Sequence, residues 1–177
     1  VLRWTVSNGN CAVTQNDITL TNEVAPVADA LEGGAATSFN ECALTHVVDA
    51  NTATGTGVWS KTSGPGTLSF GSTLNDPDQT LTVDAYGTYV FRWTDTNGTC
   101  SDFDEITVNF YETPSASVPG GDITQCNTTT FTMAATSPAV GTGTWSYVSG
   151  FAAVITNVNS ATTTVTGLTA GNSTVLR

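Results

Sequence analysis

The chain has 177 residues, four Lys and Arg against fifteen Asp and Glu, a net charge of −11 and 39% hydrophobic residues. That length is enough for one or two domains with cores of their own. Four basic side chains cannot neutralise a phosphate backbone, so no nucleic-acid partner is expected, and no run nears the roughly 18 apolar residues of a membrane span.

The opening residues carry no initiator Met and no charged-then-apolar leader, so a secretion signal is expected outside these residues. Thr, Ser, Asn, Gly and Val dominate, which favours strands and turns over helices. Residues 25–36 are Ala-rich, but Pro26 and Gly33-Gly34 leave little room for a helix.

In chain order, residues 37–42 (TSFNEC) form a first extended segment and residues 43–50 a weakly alternating second. Residues 58–62 carry Trp59, and residues 67–70 are a short strand. Residues 79–83 alternate, and residues 88–94 read T-Y-V-F-R-W-T. A period of two puts Tyr89, Phe91 and Trp93 on one face. Asn97-Gly98 predicts a two-residue type I′ turn, and residues 106–110 close the set. Seven short strands with Gly, Asn and Pro turns predict an all-β sandwich.

Much of this recurs. GTGVWS at Gly55 returns as GTGTWS at Gly141, 86 residues on, and the Ser63-Gly64 pair returns as Ser149-Gly150. RWTVSNGNC from Arg3 returns as RWTDTNGTC from Arg92, and DITLTN from Asp17 as EITVNF from Glu105. Cys42 and Cys126 occupy one repeat position, and Cys11 and Cys100 another. The unit is therefore about 85–89 residues, and self-similarity at such a period is the mark of an array. The expected division is 1–24 as the C-terminal part of a preceding repeat, 25–112 as one complete sandwich, and 113–177 as a truncated third. Val1-Leu2-Arg3 is repeated as Val175-Leu176-Arg177, so both ends are expected to cut one strand of a longer array.

GTGxWS, then S-G-P-G at Ser63–Gly66, then TxTV, then GTYxFRWTxTNGxC, then E-I-T-V resembles the PKD-like, immunoglobulin-like repeats of large Bacteroidota surface proteins. The SprB-type gliding-motility adhesins exported by type IX secretion are the best-known kind. The resemblance spans the chain, although the third unit has Ser149-Gly150-Phe151-Ala152 in place of S-G-P-G. It implies tandem sandwiches joined head to tail outside the cell, as stalk or display scaffold in surface attachment or gliding. The implied partners are an external surface or polysaccharide, the secretion and motility machinery of the envelope, and neighbouring repeats. It implies neither catalysis nor membrane insertion, and supplies no catalytic residue. The competing reading is a glycan-binding accessory module of a secreted polysaccharide-degrading enzyme.

Trp4, Trp59, Trp93 and Trp145 recur at repeat positions and are expected in cores rather than as sugar platforms. Arg3, Arg92 and Arg177 share one position, with a cross-strand carboxylate or a stacked ring as the expected partner. An extracellular, oxidising location makes the patterned cysteines read as disulfides. Cys42 with Cys100 is the default pair, leaving partners of Cys11 and Cys126 outside these residues. Should the hairpin tip and the start of the second strand lie at opposite ends, pairing would run between neighbouring units. No cofactor and no transition-metal site is expected, since there is no close Cys pair and one histidine, His46. Asp76, Asp78, Asp102 and Asp104 are the weak candidates for Ca²⁺, against a plain reading as solvated loops.

Overall fold

The computed structural model describes residues 1–177 and contains strands but no helix. It divides into two compact units, Val1–Tyr111 and Glu112–Arg177.

The first unit opens with a hairpin of β1 (Leu2–Val6) and β2 (Thr14–Ile18), in which Arg3 faces Asp17 across the strands. Every strand residue of this hairpin is exposed. Trp4 was expected in a core and is instead 75% exposed, because no second sheet faces the two strands.

Seven strands follow: β3 (Ser38–Glu41), β4 (Thr45–Asp49), β5 (Thr56–Ser63), β6 (Leu68–Phe70), β7 (Asp78–Val83), β8 (Gly87–Asn97) and β9 (Cys100–Phe110). One sheet runs β3-β9-β8-β5, with β3 parallel to β9; the other runs β4-β7-β6. This is the strand order of an immunoglobulin-like sandwich, with the first strand moved onto the sheet of the last two. The class also has a marker in the corner before its sixth strand. Here Tyr89 donates its hydroxyl to the Ala85 carbonyl at 2.8 Å, four residues upstream.

The core follows from alternation. On β8, Tyr89, Phe91 and Trp93 point inward and are fully buried. Ile106, Val108 and Phe110 of β9 lie beside them, and Val48, Leu81 and Val83 face them from the other sheet. Tyr89 and Phe110 meet edge to face at 5.4 Å. Trp59 lies opposite Trp93 in register, with ring centroids 5.4 Å apart. Trp59 donates its Nε1 hydrogen to the Pro77 carbonyl at 3.2 Å.

The glycines of the GTGxW phrase now have a cause. A methyl group on Gly57 would overlap the six-membered ring of Trp93, and one on Gly55 would overlap the Thr96 carbonyl. Only a bare backbone lets β5 pass this close to the indole.

In the second unit, β10 (Thr130–Thr132), β13 (Thr164–Thr166) and β12 (Val154–Ile155) form one sheet in the order β10-β13-β12. A second sheet pairs β11 (Tyr147–Gly150) with β14 (Thr174–Leu176). These orders match β4-β7-β6 and β5-β8. The β5–β8 register slips between Lys61 and Ser63, and the β11–β14 register slips between Tyr147 and Ser149, 86 residues on. Trp145 is buried with Val165 and Leu168, and its Nε1 donates to the Ser160 carbonyl at 3.1 Å. The far edge of β14 carries no strand, whereas β8 is flanked by β9. A cavity of about 400 Å³, lined by Phe131, Met133, Trp145, Leu168 and Leu176, lies open there.

Two predictions follow from this packing. Excised residues 25–112 should melt in one cooperative transition, and excised 113–177 broadly or not at all, as read by calorimetry. Gly57→Ala should cost about 1–3 kcal/mol by overpacking, and Trp93→Ala about 3–5 kcal/mol by leaving a cavity. Urea titration of residues 25–112 measures both.

Candidate functional site: the two poles of the sandwich

The long hairpin β8–β9 carries its tip to one pole. Asn97 and Cys100 pair as the last rung, so the two-residue loop is Gly98-Thr99. Of these, only Gly98 has positive φ, at 59°. That is the type II′ arrangement and not the expected type I′ turn on Asn97-Gly98. The first central residue carries the positive φ, and here that residue is Gly98.

Glycine at 98 also makes room. A Cβ there would overlap the Glu23 carboxylate. That carboxylate accepts the Thr99 backbone N–H at 2.6 Å and the Thr99 hydroxyl at 3.2 Å. Asn97 donates its Nδ2 hydrogen to the Val24 carbonyl at 2.9 Å. The segment leaving the first hairpin is therefore tied to the tip by one carboxylate and one side-chain amide. The expectation that Asn97-Gly98 serves only the turn missed this second use.

Two further carboxylates fasten the start of the sandwich to β9. Asp102 accepts the Ala28 N–H and Asp104 the Ala30 N–H, each at 3.0 Å. These Ca²⁺ candidates thus serve as backbone acceptors, one rung apart on an extended neighbour. Asp76 accepts from the Ser72 hydroxyl at 2.6 Å and the Asp78 N–H at 3.2 Å. No three acidic, His or Cys side chains converge as a metal-ligand set. The sequence reading overlooked Asp95, which is fully buried and accepts the Thr54 and Gly55 N–H groups at 2.6 and 3.1 Å. Its signal was present, because Asp95 shares the inward parity of Tyr89, Phe91 and Trp93.

Two of the three arginines at the repeated position, Arg3 and Arg92, have the expected cross-strand carboxylate. Arg92 bonds Glu105 at 2.8 Å, and its guanidinium lies 3.9 Å over the Phe103 ring. Arg3 bonds Asp17, the counterpart of Glu105, through two nitrogens at 2.6 and 2.8 Å. The Arg3 guanidinium holds the Asp17 carboxyl below its ordinary value. His46 is buried, 4.7 Å from the Phe39 ring, and its Nδ1 lies 2.7 Å from a Glu41 oxygen. That places it in the packing between the sheets.

The opposite pole holds Cys42. The Tyr111 N–H donates to the Glu41 carbonyl at 2.8 Å, so Cys42 follows a residue level with the end of β9. Cys100 begins β9, ten residues before Phe110 (110 − 100). At about 3.3 Å per residue those ten steps span roughly 33 Å, against a limit near 7 Å between disulfide Cα atoms. That separation contradicts the expected pairing of Cys42 with Cys100 inside one sandwich. The parallel pairing of β3 with β9 is the cause, since it sends the end of β3 away from the start of β9.

Asp49 and Asp78 face each other where β4 and β7 pair. A hydrogen bond with the Asp49 carboxyl, some loss of hydration, and the charges of Asp49, Asp76 and Glu32 raise the Asp78 pKa above its ordinary value. A carboxyl raised in the folded state stabilises the fold while protonated, below its unfolded pKa. That contribution is lost as pH climbs through the raised folded value. Asp78→Asn should therefore raise the melting midpoint at pH 7, with the gain vanishing below the ordinary carboxylate range. A thermal melt series from pH 3 to 7 reads this directly; equal shifts at both ends would contradict the shared proton.

No protein-family model matches the chain, and no curated protein matches it. Among solved structures it is similar to the solution structure of the PKD domain from KIAA 1837 protein. Identity is 21% and the TM-score 0.39, with 52% of this chain and 92% of that chain covered. Similarity of that degree identifies no family. The immunoglobulin-like assignment rests instead on the strand order and the Tyr89 corner.

Proposed function

We propose that this chain is a stretch of a tandem array of immunoglobulin-like sandwiches on the outside of a cell. Its work is mechanical, as the stalk and display scaffold of an adhesin in surface attachment or gliding. The observation that carries this reading is the tie of Glu23 and Val24 to the tip of the next sandwich through Thr99 and Asn97. A flexible tether needs no such clamp, whereas a stalk that transmits force does. The shared strand order and the repeated register slip support an array of like units. In such an array each repeat's neighbours are its first partners. The envelope's secretion and motility machinery and an external surface or polysaccharide come next.

The two tryptophans inside the complete sandwich do not favour the glycan-binding alternative. Trp59 and Trp93 are 1% and 0% exposed, so neither ring offers a face to a sugar. Stacking on a carbohydrate needs an open ring, and these rings face each other inside the sandwich.

Arrays of three, four and five copies of residues 25–112 test the reading by small-angle scattering. The largest dimension should grow by about 36 Å per added repeat, the span of an eleven-residue strand at about 3.3 Å per residue. Glu23 lies outside that excised span, so its counterpart at each joint, Tyr111, should be replaced by Glu to rebuild the clamp. Arrays carrying it should be straighter than those carrying Ala. A dimension that stays constant as repeats are added would overturn the stalk.

A further inference from the structure

The Asn-Gly dipeptide occurs at Asn8-Gly9 and again at Asn97-Gly98, 89 residues on (97 − 8). Asparagine before glycine is the pair most prone to lose its side-chain amide without an enzyme. The following backbone nitrogen closes on the side-chain carbon, and glycine has no Cβ to obstruct it. The two copies sit in different surroundings. Asn8 lies between β1 and β2, outside both strands, and is exposed. Asn97 is the last residue of β8, half-buried and paired with Cys100. Its amide nitrogen, the group that would leave, donates to the Val24 carbonyl at 2.9 Å. The Glu23 carboxylate packs on Gly98, where a Cβ would overlap it, and accepts the Thr99 N–H at 2.6 Å. The reacting pair is therefore also part of the tie that holds residues 23 and 24.

We propose that Asn97-Gly98 is a self-modification site whose deamidation releases residues 23 and 24 from the hairpin tip, and that the Glu23 contact holds the reaction back. The proposal does not depend on the array reading, because the whole tie lies inside the compact unit Val1–Tyr111.

The Gly98 nitrogen gives its proton to water and attacks Cγ of Asn97. An N–Cγ bond forms, the Cγ–Nδ2 bond breaks, and the amide nitrogen takes up a proton and leaves as ammonia. The product is a five-membered imide. Water opens it at Cγ to leave aspartate, or at the Asn97 main-chain carbonyl to leave isoaspartate. One water enters, one ammonia departs, and nothing is oxidised. Either product removes the donor that held Val24 and sets a second negative charge beside the Glu23 carboxylate. Isoaspartate also lengthens the main chain by one carbon, which disrupts the rung with Cys100. Ring closure needs Asn97 to leave the extended backbone of β8 and its amide to leave Val24, so it proceeds from a locally opened tip. The Glu23 contact keeps that open state scarce.

Incubation of residues 1–177 in mildly alkaline buffer tests this, with peptide mapping by mass spectrometry over time. Asn8 should convert first and serves as the internal clock. Asn97 should convert at least about tenfold more slowly, the factor that one hydrogen bond to a charged group is worth. Glu23→Ala should raise the Asn97 rate about tenfold and leave the Asn8 rate unchanged. Glu23→Gln, which keeps an acceptor for the Thr99 N–H, should fall between. Asn97→Asp installs the product directly. Amide hydrogen exchange at Thr99 should then quicken, while exchange at Trp59 and Trp93 stays as slow as before. Asn97 converting as fast as Asn8, or no faster in Glu23→Ala, overturns the protection. Unchanged exchange at Thr99 in Asn97→Asp, or an equal quickening at Trp93, overturns the local release.

Discussion

The structure depends on how closely β5 can approach the Trp93 ring. Trp93 and Trp59 face each other across paired strands, and both rings are buried between the sheets. Gly57 and Gly55 remove the side chains that would push the strands apart. With that gap closed, the inward row of β8 can carry three aromatic rings in succession. Those rings set the spacing of the two sheets, and Ile106, Val108 and Phe110 of β9 fill in beside them. The GTGxW phrase and the YxFxW phrase are thus two halves of one packing solution, which is why they travel together through the repeat.

Alternation made most of this legible in the sequence. The seven strands of the sandwich lie where periodicity and turn residues put them. The inward face of β8 is the one that period two selects. The far end of the β8–β9 hairpin was not legible. Residues 95–105 are rich in Asp, Thr, Asn and Ser, a composition that reads as loop. They form strand because their acids have backbone partners: Asp95 holds residues 54 and 55, and Asp102 and Asp104 hold residues 28 and 30. A carboxylate reads as surface or metal ligand until the chain that donates to it is known, and that chain lies 40 or more residues away. Trp4 fails differently. Its position in the repeat is a core position, but a residue is buried only where a second sheet covers it.

The cysteines show the limit of spacing as evidence. Two cysteines per repeat, an even count, suggest a bond inside the repeat. The register denies it, because β3 joins β9 in parallel and its end points away from the tip. Parallel or antiparallel pairing of an edge strand is not written in its own residues. SFNE would fit either.

The same geometry gives the poles different work. A sandwich with an odd number of strands delivers its chain from one end to the other, so each repeat enters at one pole and leaves at the opposite one. Side chains at the poles therefore meet the segments that enter and leave the sandwich, while those along the strands see only their own core. Glu23, Asn97, Gly98 and Thr99 belong to the first class; their substitution should act on the angle and stiffness of the joint and leave the core of Trp59 and Trp93 unchanged. Stability and stiffness are then controlled by separate residues, one set along the sheets and one at the ends. A repeat can thus vary its joints without disturbing its fold.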